Sequence, residues 1–336
     1  MKKENNIIND NNNTTNSSIN QNENEYNYNL ENDAFTLKRK AENKLNPGCC
    51  MDTLFTSKSK RYEDACELYK KAGDKYKICS QWRKAGDCFE NCANIKIKLK
   101  DNPVNYYQES FFCYSKADSD NNSKKIFGKM NQYLARKGEY FQAGKNNENF
   151  AIKLENNDKY NDAIFYYLEA SNYYELDRKH ESLKNKTDSK IAELMMINNY
   201  HDASKKVPTL LENIGKNCLN NSLTKYSAKD YFGKSILSLI YYSNNPSEIE
   251  MNINKYKEIG KTFEGSEIYN LCNNAFKAMK NKDINMLKIS IKKYKEVNEL
   301  DEFMIDIFNK LEEKIKNENQ LGQINENNSN YEEDLK

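Results

Sequence analysis

The sequence predicts an all-α protein, an α-solenoid of antiparallel helical hairpins with a C-terminal helical cap. Only 11 glycines and 4 prolines occur among 336 residues, which favours long helices over a turn-rich β fold. Between residues 34 and 316, apolar residues recur at the spacing of one helical stripe. One such stripe repeats with a period near 40 residues, which indicates a series of similar hairpins.

The repeated stripe alternates tyrosine with alanine. Its first copy begins at Tyr62, and the copy at Tyr160 has the same offsets of 3, 7, 10 and 14 residues. These offsets place the side chains on one face of a helix, where alanine lets a neighbouring helix approach and the rings fill the remaining space. Further copies begin at Tyr140 and Tyr200, with a looser one at Tyr107. Because the period slightly exceeds the tetratricopeptide (TPR) unit of about 34 residues, we predict TPR-like hairpins.

Helices are expected wherever this stripe, or another helical periodicity, continues without a breaker. The last of them lack the tyrosine–alanine stripe and are expected to form the compact cap on the array. We place helices roughly at 34–46, 60–77, 80–99, 104–117, 122–136, 139–154, 158–176, 181–197, 200–214, 223–243, 247–261, 264–280, 283–296 and 300–316.

Two segments have a composition that disfavours a packed core. Residues 1–33 contain 13 Asn, and residues 317–330 contain 6 Asn in 14 positions. Such segments cannot bury enough apolar surface to offset their ordering entropy, so we expect both to be disordered. The predicted organisation is therefore a disordered arm at 1–33, a TPR-like solenoid at 34–220, a C-terminal helical bundle at 221–316, a disordered insert at 317–330 and an acidic tail at 331–336.

Charge and hydropathy narrow the classes of function. The 52 basic side chains nearly balance the 50 acidic ones, which argues against a generic nucleic-acid-binding protein. The sequence has no apolar run long enough to cross a bilayer, and its first residues lack the apolar stretch of a secretory signal. We therefore expect a cytoplasmic protein with reduced cysteines.

The sequence offers no evident site for nucleotide, cofactor or metal chemistry, and we expect a protein that is not an enzyme. The tripeptide 260–262 (GKT) ends like a phosphate-binding loop, but Lys255 stands where the first glycine of that loop is required. Cys88 and Cys92 lie one helical turn apart without a second ligand pair, so buried thiols are the preferred interpretation. The adjacent cysteines 49–50 are expected in a loop, with acylation as an alternative.

Two stretches of the sequence indicate a particular protein family more specifically than the helical repeats do. Residues 223–232 read LTKYSAKDYF, and residues 332–336 read EEDLK. Together they closely resemble the alpha-type soluble NSF-attachment proteins (SNAPs), adaptors that recruit a hexameric AAA ATPase to SNARE bundles after membrane fusion. The resemblance runs in order over 34–336, interrupted by the insert at 317–330, and includes AENKL at 41–45, EDACELY at 63–69 and LDEF at 300–303.

The resemblance implies a basic face that grips the acidic surface of the SNARE four-helix bundle. By position in the resemblance, this face includes Lys116, Lys145, Arg178, Lys179, Lys225 and Lys229. It also implies an apolar loop that touches the membrane, here with Met51, Leu54 and Phe55. A buried contact between helices is the alternative for that loop.

The resemblance further implies that the acidic tail binds the ATPase and that its leucine stimulates ATP hydrolysis. In this chain the tail residues are Glu332, Glu333, Asp334 and Leu335. An acidic patch that the family carries near its C-terminal hairpin is absent, since Lys277 and Lys280 occupy that stretch. The nearby acidic residues Glu299, Asp301 and Glu302 are expected to contribute instead.

The expected function is therefore an adaptor that binds assembled SNARE bundles and recruits and stimulates an NSF-type AAA ATPase for SNARE disassembly in vesicle traffic. Several copies are expected on one bundle, with weak peripheral contact to ER, Golgi or vesicle membranes and no cofactor. A generic TPR-like peptide-binding scaffold and a gamma-type relative of the same family are the alternatives.

Overall fold

The structure is a computed structural model that describes residues 7–46, 56–117 and 119–333, with side chains described over 25–46, 56–117 and 119–320. These residues form fourteen α-helices and one short 3-10 helix, with no β-strand in the described part of the chain, which confirms the all-α prediction. The α-helices are α1 (Ile7–Leu45), α2 (Lys58–Ile78), α3 (Trp82–Lys98), α4 (Val104–Lys116), α5 (Asp120–Arg136), α6 (Tyr140–Glu155), α7 (Tyr160–Asp177), α8 (Glu181–Ile197), α9 (Ala203–Leu219), α10 (Ala228–Tyr242), α11 (Pro246–Ile259), α12 (Glu267–Asn281), α13 (Ile284–Lys295) and α14 (Glu302–Glu333).

The chain divides into two compact units, residues 1–138 and residues 139–336. In the first unit, helices α1 to α4 each pack against the next helix in the sequence. The connections are short because residues in the left-handed backbone region, such as Ser80 at φ 57° and Lys100 at φ 63°, reverse the chain directly after a helix. Ser57 begins α2 by accepting a hydrogen bond from the Lys60 amide at 3.2 Å.

The second unit continues the same packing and ends in a bundle. Helices α6 to α10 pack in consecutive pairs, as expected of an α-solenoid. Helix α10 then contacts α11, α12 and α14, and α14 also contacts α8 and α13. This arrangement matches the predicted C-terminal cap. The predicted boundary between the solenoid and the bundle at residue 220 lies inside this unit and stays a prediction.

The tyrosine–alanine stripes form the cores that their spacing predicts. In α2, Ala65, Tyr69, Ala72 and Tyr76 are all buried, as are their counterparts Ala163, Tyr167, Ala170 and Tyr174 in α7. The first tyrosines of these two copies, Tyr62 and Tyr160, are only half-buried, because each lies near the start of its helix. The stripe therefore identifies the buried face correctly over its last four positions.

In the same hairpins, glycine lets a neighbouring helix approach more closely than alanine does. A Cβ atom added to Gly144 in α6 would lie 2.7 Å from Cε1 of Tyr174 in α7, and one added to Gly86 in α3 would lie 2.9 Å from the Tyr114 ring in α4. Each ring therefore packs directly on the backbone of the preceding helix. The same contact occurs between Gly73 and Phe89 and between Gly215 and Phe232.

The tyrosine hydroxyl groups reach carboxylates on neighbouring helices. Tyr174 donates to Glu148 at 2.8 Å, and Tyr256 donates to Glu212 at 2.9 Å. Each carboxylate also binds lysine, Lys145 in the first case and both Lys216 and Lys255 in the second. Since a buried hydroxyl needs a partner, the Glu148 network explains why tyrosine rather than phenylalanine stands at position 174 of the stripe.

Some element bounds differ from the sequence expectation. Helix α9 begins at Ala203 and runs to Leu219 rather than over 200–214, and Pro208 lies inside it. Helix α10 begins at Ala228 rather than at 223, since residues 225–227 form the 3-10 helix. Inside the two helices, Ser235 of α10 donates to the Pro208 carbonyl of α9 at 2.9 Å and so joins them.

The two segments expected to be disordered have helical backbone over most of their length. Helix α1 begins at Ile7, well before the expected start at residue 34. Its residues Glu31 and Asp33 form ion pairs with Lys84 and Lys75, the latter at 3.1 Å, and these contacts extend the packed part of α1 toward its N-terminus. Helix α14 likewise continues through 317–330, where Asn319 donates to the Lys282 carbonyl at 3.1 Å. Amino-acid composition alone does not predict these tertiary contacts.

Helix α14 is attached to the ends of two other helices by lysines one turn apart. Lys310 donates to the carbonyl of Met196, the penultimate residue of α8. Lys314 donates at 2.7 Å to the carbonyl of Tyr241, the penultimate residue of α10. The last carbonyls of a helix have no intrahelical donor and carry partial negative charge, so a lysine ammonium is a favourable partner for them.

Candidate interaction surface

The basic residues that the resemblance assigns to partner binding lie on both units. Lys116, at the end of α4, is exposed, and its ammonium lies 6.0 Å from the Phe112 ring centroid. The other five residues, from Lys145 to Lys229, belong to the second unit. These five residues lie at four places in that unit: in α6, in the turn after α7, in the 3-10 helix and in the first turn of α10.

Lys145 lies in α6 and forms part of a buried network. Its ammonium lies 2.8 Å from Glu148, which also accepts the Tyr174 hydroxyl group. Burial disfavours ionisation of Glu148, but the hydrogen bonds from Lys145 and Tyr174 outweigh it and lower the pKa of the carboxyl. Lys145 remains partly exposed, so it stabilises this network and still presents charge at the surface.

Arg178 and Lys179 occupy the tight turn between α7 and α8. Arg178 has left-handed backbone at φ 56° and ends α7, and both side chains are exposed. Arg178 lines a cleft that also contains Lys184 and Lys216. The turn thus directs two cations away from the core without using them in its packing.

Lys225 and Lys229 flank the clearest exposed feature of the second unit. Lys225 lies in the 3-10 helix, with its ammonium 5.0 Å from the Tyr226 ring centroid, and Lys229 is in the first turn of α10. Between α9 and α10, Leu223 is 89% exposed and Tyr226 is 63% exposed. The sequence reasoning missed these two residues as contacts, although an apolar and an aromatic side chain in a polar connection are the signal that identifies them.

A groove with a volume of about 510 Å³ lies beside this connection. Its lining includes Glu148 of α6, which belongs to the Lys145 network, and Thr224, Ser227 and Tyr231 in and after the exposed connection. Lys186 and Lys190 of α8 also line the groove. Lys190 pairs with Glu155 at 2.9 Å and with Glu193 at 2.7 Å. Lys186 is exposed and is a further basic residue that sequence reasoning missed.

The acidic residues expected to face the ATPase differ in their surroundings. Glu299 and Glu302 are exposed before and at the start of α14. Asp301 accepts a hydrogen bond from the Met304 amide at 3.0 Å and pairs with Lys234 of α10, so it caps α14 and joins it to the bundle. Asp301 therefore has a structural role that the sequence reasoning did not anticipate.

Several predicted contact residues lie at or beyond the limits of the described residues. Glu332 and Glu333 belong to the helical backbone of α14, and their side chains are outside the described set. Asp334 and Leu335 of the tail, and Met51, Leu54 and Phe55 of the loop, lie outside the described residues.

The cysteines and acidic side chains do not assemble a metal centre in the described part of the chain. Cys88 and Cys92 are fully buried, and the Cys92 thiol donates to the Cys66 carbonyl at 3.3 Å. Burial raises the pKa of the Cys88 thiol to about 12. A search of the described helices for one long and apolar enough to span a bilayer found none.

Comparison with known proteins identifies the family. The family model described as soluble NSF attachment protein, SNAP, matches residues 32–316. The chain is 31% identical over 297 residues to the vesicular-fusion protein SEC17 of Komagataella phaffii, covering 87% of this chain and 98% of that protein. It is 25% identical over 294 residues to the human alpha-soluble NSF attachment protein, covering 85% and 95% respectively. The chain therefore belongs to the soluble NSF attachment protein family, which acts in vesicle fusion.

Proposed function

We propose that this chain is a non-enzymatic adaptor that binds assembled SNARE bundles and recruits and stimulates an NSF-type AAA ATPase for their disassembly. The observation that carries the proposal is the connection at 223–229, where exposed Leu223 and Tyr226 alternate with Lys225 and lie close to Lys229. Apolar anchors between cations suit an acidic helical bundle, because the lysines steer the approach and the apolar groups are desolvated on contact.

The remaining basic residues are proposed as further contacts with acidic side chains of the bundle. In the second unit these are Lys145, Arg178 and Lys179, and in the first unit Lys116 is proposed as a separate contact. An exposed ion pair contributes only about 0–1 kcal/mol, so a stable complex requires many such pairs. Several copies of the adaptor on one bundle would supply them through avidity.

The ATPase side of the function is proposed to rest on the tail. Glu332, Glu333 and Asp334 place three negative charges directly before Leu335. We assign the acidic residues to binding a basic surface of the ATPase, with Glu299 and Glu302 in support, and Leu335 to stimulation. Asp301 is the weakest member of this set, because it already caps α14 and pairs with Lys234.

Contact with the membrane is proposed through the loop with Met51, Leu54 and Phe55. Apolar side chains near Lys58 and Lys60 suit shallow insertion at an anionic bilayer surface. The proposed location is accordingly the cytoplasm, with weak peripheral association to ER, Golgi or vesicle membranes.

The test is disassembly of a preformed SNARE bundle by a purified NSF-type ATPase with ATP. We expect the unaltered chain to support release, Lys225→Ala/Lys229→Ala to weaken binding to the bundle, and Leu335→Ala to bind normally but fail to drive release. The matched control is Lys153→Ala/Lys159→Ala, which removes two exposed lysines elsewhere in the second unit.

An unaltered chain that neither binds the bundle nor stimulates the ATPase would refute the adaptor function and favour a generic peptide-binding scaffold. Equal loss of binding in the control variant would show that general charge, and not the connection at 223–229, holds the bundle.

A further inference from the structure

The α12–α13 hairpin concentrates positive charge on an otherwise nearly balanced chain. Residues 277–295 contain seven lysines and one acidic residue, Asp283, whereas the rest of the chain has 45 basic and 49 acidic side chains. The segment thus has a local net charge of +6 against a total of +2. The positive electrostatic potential of so short a segment attracts anionic surfaces even when the whole protein is close to neutral.

Most of this charge is not neutralised within the chain. Lys282 pairs with Glu318 at 4.0 Å and Lys288 with Glu312 at 3.8 Å, both long contacts to α14. Asp283 is used as the cap of α13, where it accepts the Met286 amide at 3.0 Å. The other lysines of the segment have no ion-pair partner among the described residues, and all are exposed: Lys277, Lys280, Lys292, Lys293 and Lys295.

The outer face of α13 also carries an apolar side chain. Leu287, Ile291 and Tyr294 pack the inner face of this helix, so positions 289, 292 and 293 lie on the opposite face. There, Ile289 is 68% exposed, one helical turn before Lys292 and Lys293. A hydrated acidic partner would need only the charge, whereas an exposed isoleucine surrounded by lysines fits the boundary between lipid headgroups and acyl chains.

We propose that the outer face of α13, formed by Lys288, Ile289, Lys292 and Lys293, binds an anionic phospholipid surface. Lysine ammonium groups contact the headgroups, and Ile289 enters the interface between them. The surface shares no residue with the proposed loop at 49–55, so the two membrane contacts can be removed independently. It also does not depend on SNARE binding, because none of its residues belongs to the proposed bundle surface.

The experiment is co-flotation of the full chain with vesicles of phosphatidylcholine and phosphatidylserine, compared with vesicles of phosphatidylcholine alone. Near an anionic surface each lysine changes the partition coefficient roughly fivefold, so Lys288→Ala/Lys292→Ala/Lys293→Ala is expected to lose on the order of a hundredfold in binding. Ile289→Ser should weaken binding severalfold and leave its salt dependence unchanged. All altered side chains are exposed, and unchanged thermal unfolding verifies the fold.

The matched control is Lys153→Ala/Lys159→Ala/Lys205→Ala, which removes the same charge from exposed positions in the same unit. Phosphatidylserine-dependent binding that is lost in the α13 variant and kept in the control supports the proposal. Three results would each overturn it. One is equal loss in both variants, and another is a lack of preference for phosphatidylserine. The third is that only the loop variant Leu54→Ser/Phe55→Ser abolishes binding. Retention of vesicle binding in the α13 variant would point instead to an acidic protein as the partner of this hairpin and would equally overturn it.

Discussion

The contact between Gly144 and the Tyr174 ring allows a quantitative test of how closely these hairpins are packed. We predict that Gly144→Ala destabilises the protein, because its new Cβ would lie 2.7 Å from Cε1 and 2.8 Å from Cδ1 of the ring. The ring cannot retreat freely, since Tyr174 is fully buried and its hydroxyl group is bound to Glu148 at 2.8 Å. Inserting a methyl group into such a packed site costs about 1–3 kcal/mol.

The control is Gly128→Ala in α5, where a Cβ would meet nothing within 4 Å. Alanine gains about 0.5–1 kcal/mol over glycine inside a helix, and this gain is shared by both substitutions. The difference in unfolding free energy between the two variants therefore isolates the steric cost and should be about 1–3 kcal/mol. Urea unfolding followed by circular dichroism measures it, with the slope against denaturant checking that the same surface is exposed.

A third variant tests the assigned cause. When Tyr174→Leu is introduced first, Gly144→Ala should lose most of its penalty, since the atoms it would contact are gone. If Gly144→Ala and Gly128→Ala change the free energy of unfolding equally, the inference that α6 and α7 approach closely at Gly144 is wrong. A penalty that survives in the Tyr174→Leu background would assign the cost to another neighbour.

Two further predictions concern charged groups. Burial opposes ionisation of Glu212, but its lysine and tyrosine partners lower its pKa from 4.5 to about 2. The ionised carboxylate therefore stabilises the fold above pH 4.5, and this contribution is lost as the pH falls toward 2. Glu212→Gln should flatten the pH dependence of unfolding in that window, whereas the exposed Glu258→Gln should leave it unchanged. Lys314→Met should lower the free energy of unfolding by about 1 kcal/mol and speed amide hydrogen exchange in α14, because the Tyr241 carbonyl loses its donor. The control Lys316→Met, at an exposed position of the same helix, should have no effect.

The sequence was sufficient to predict the helices and their buried faces, because these depend on spacing within one segment. Tyr69, Ala72 and Tyr76 follow the stripe and are buried as expected. The stripe could not reveal that Gly144 touches the Tyr174 ring, since this contact depends on the distance between two helices. The choice of tyrosine over phenylalanine was the available clue to an acceptor on the neighbouring helix.

The interaction surface was less predictable for the same reason. Lys145 was selected by resemblance and Asp301 as a nearby substitute for an absent acidic patch, and the structure shows both engaged in internal contacts. A charged residue on a helix has the same local sequence pattern whether it caps a neighbour, supports a network or faces a partner. Leu223 and Tyr226 stand out only when their exposure is known.

The attachment of α14 also has a mechanical consequence. With 32 residues and a rise of about 1.5 Å per residue, this helix is roughly 48 Å long, and residues 317–330 extend it toward the tail. A pull on its far end, directed along the axis, would load Lys310, Lys314 and the buried face of the helix in parallel, so that all these contacts would have to slide together. Such a joint resists shear far better than peeling, and the direction of the applied force would then decide whether α14 transmits it or detaches.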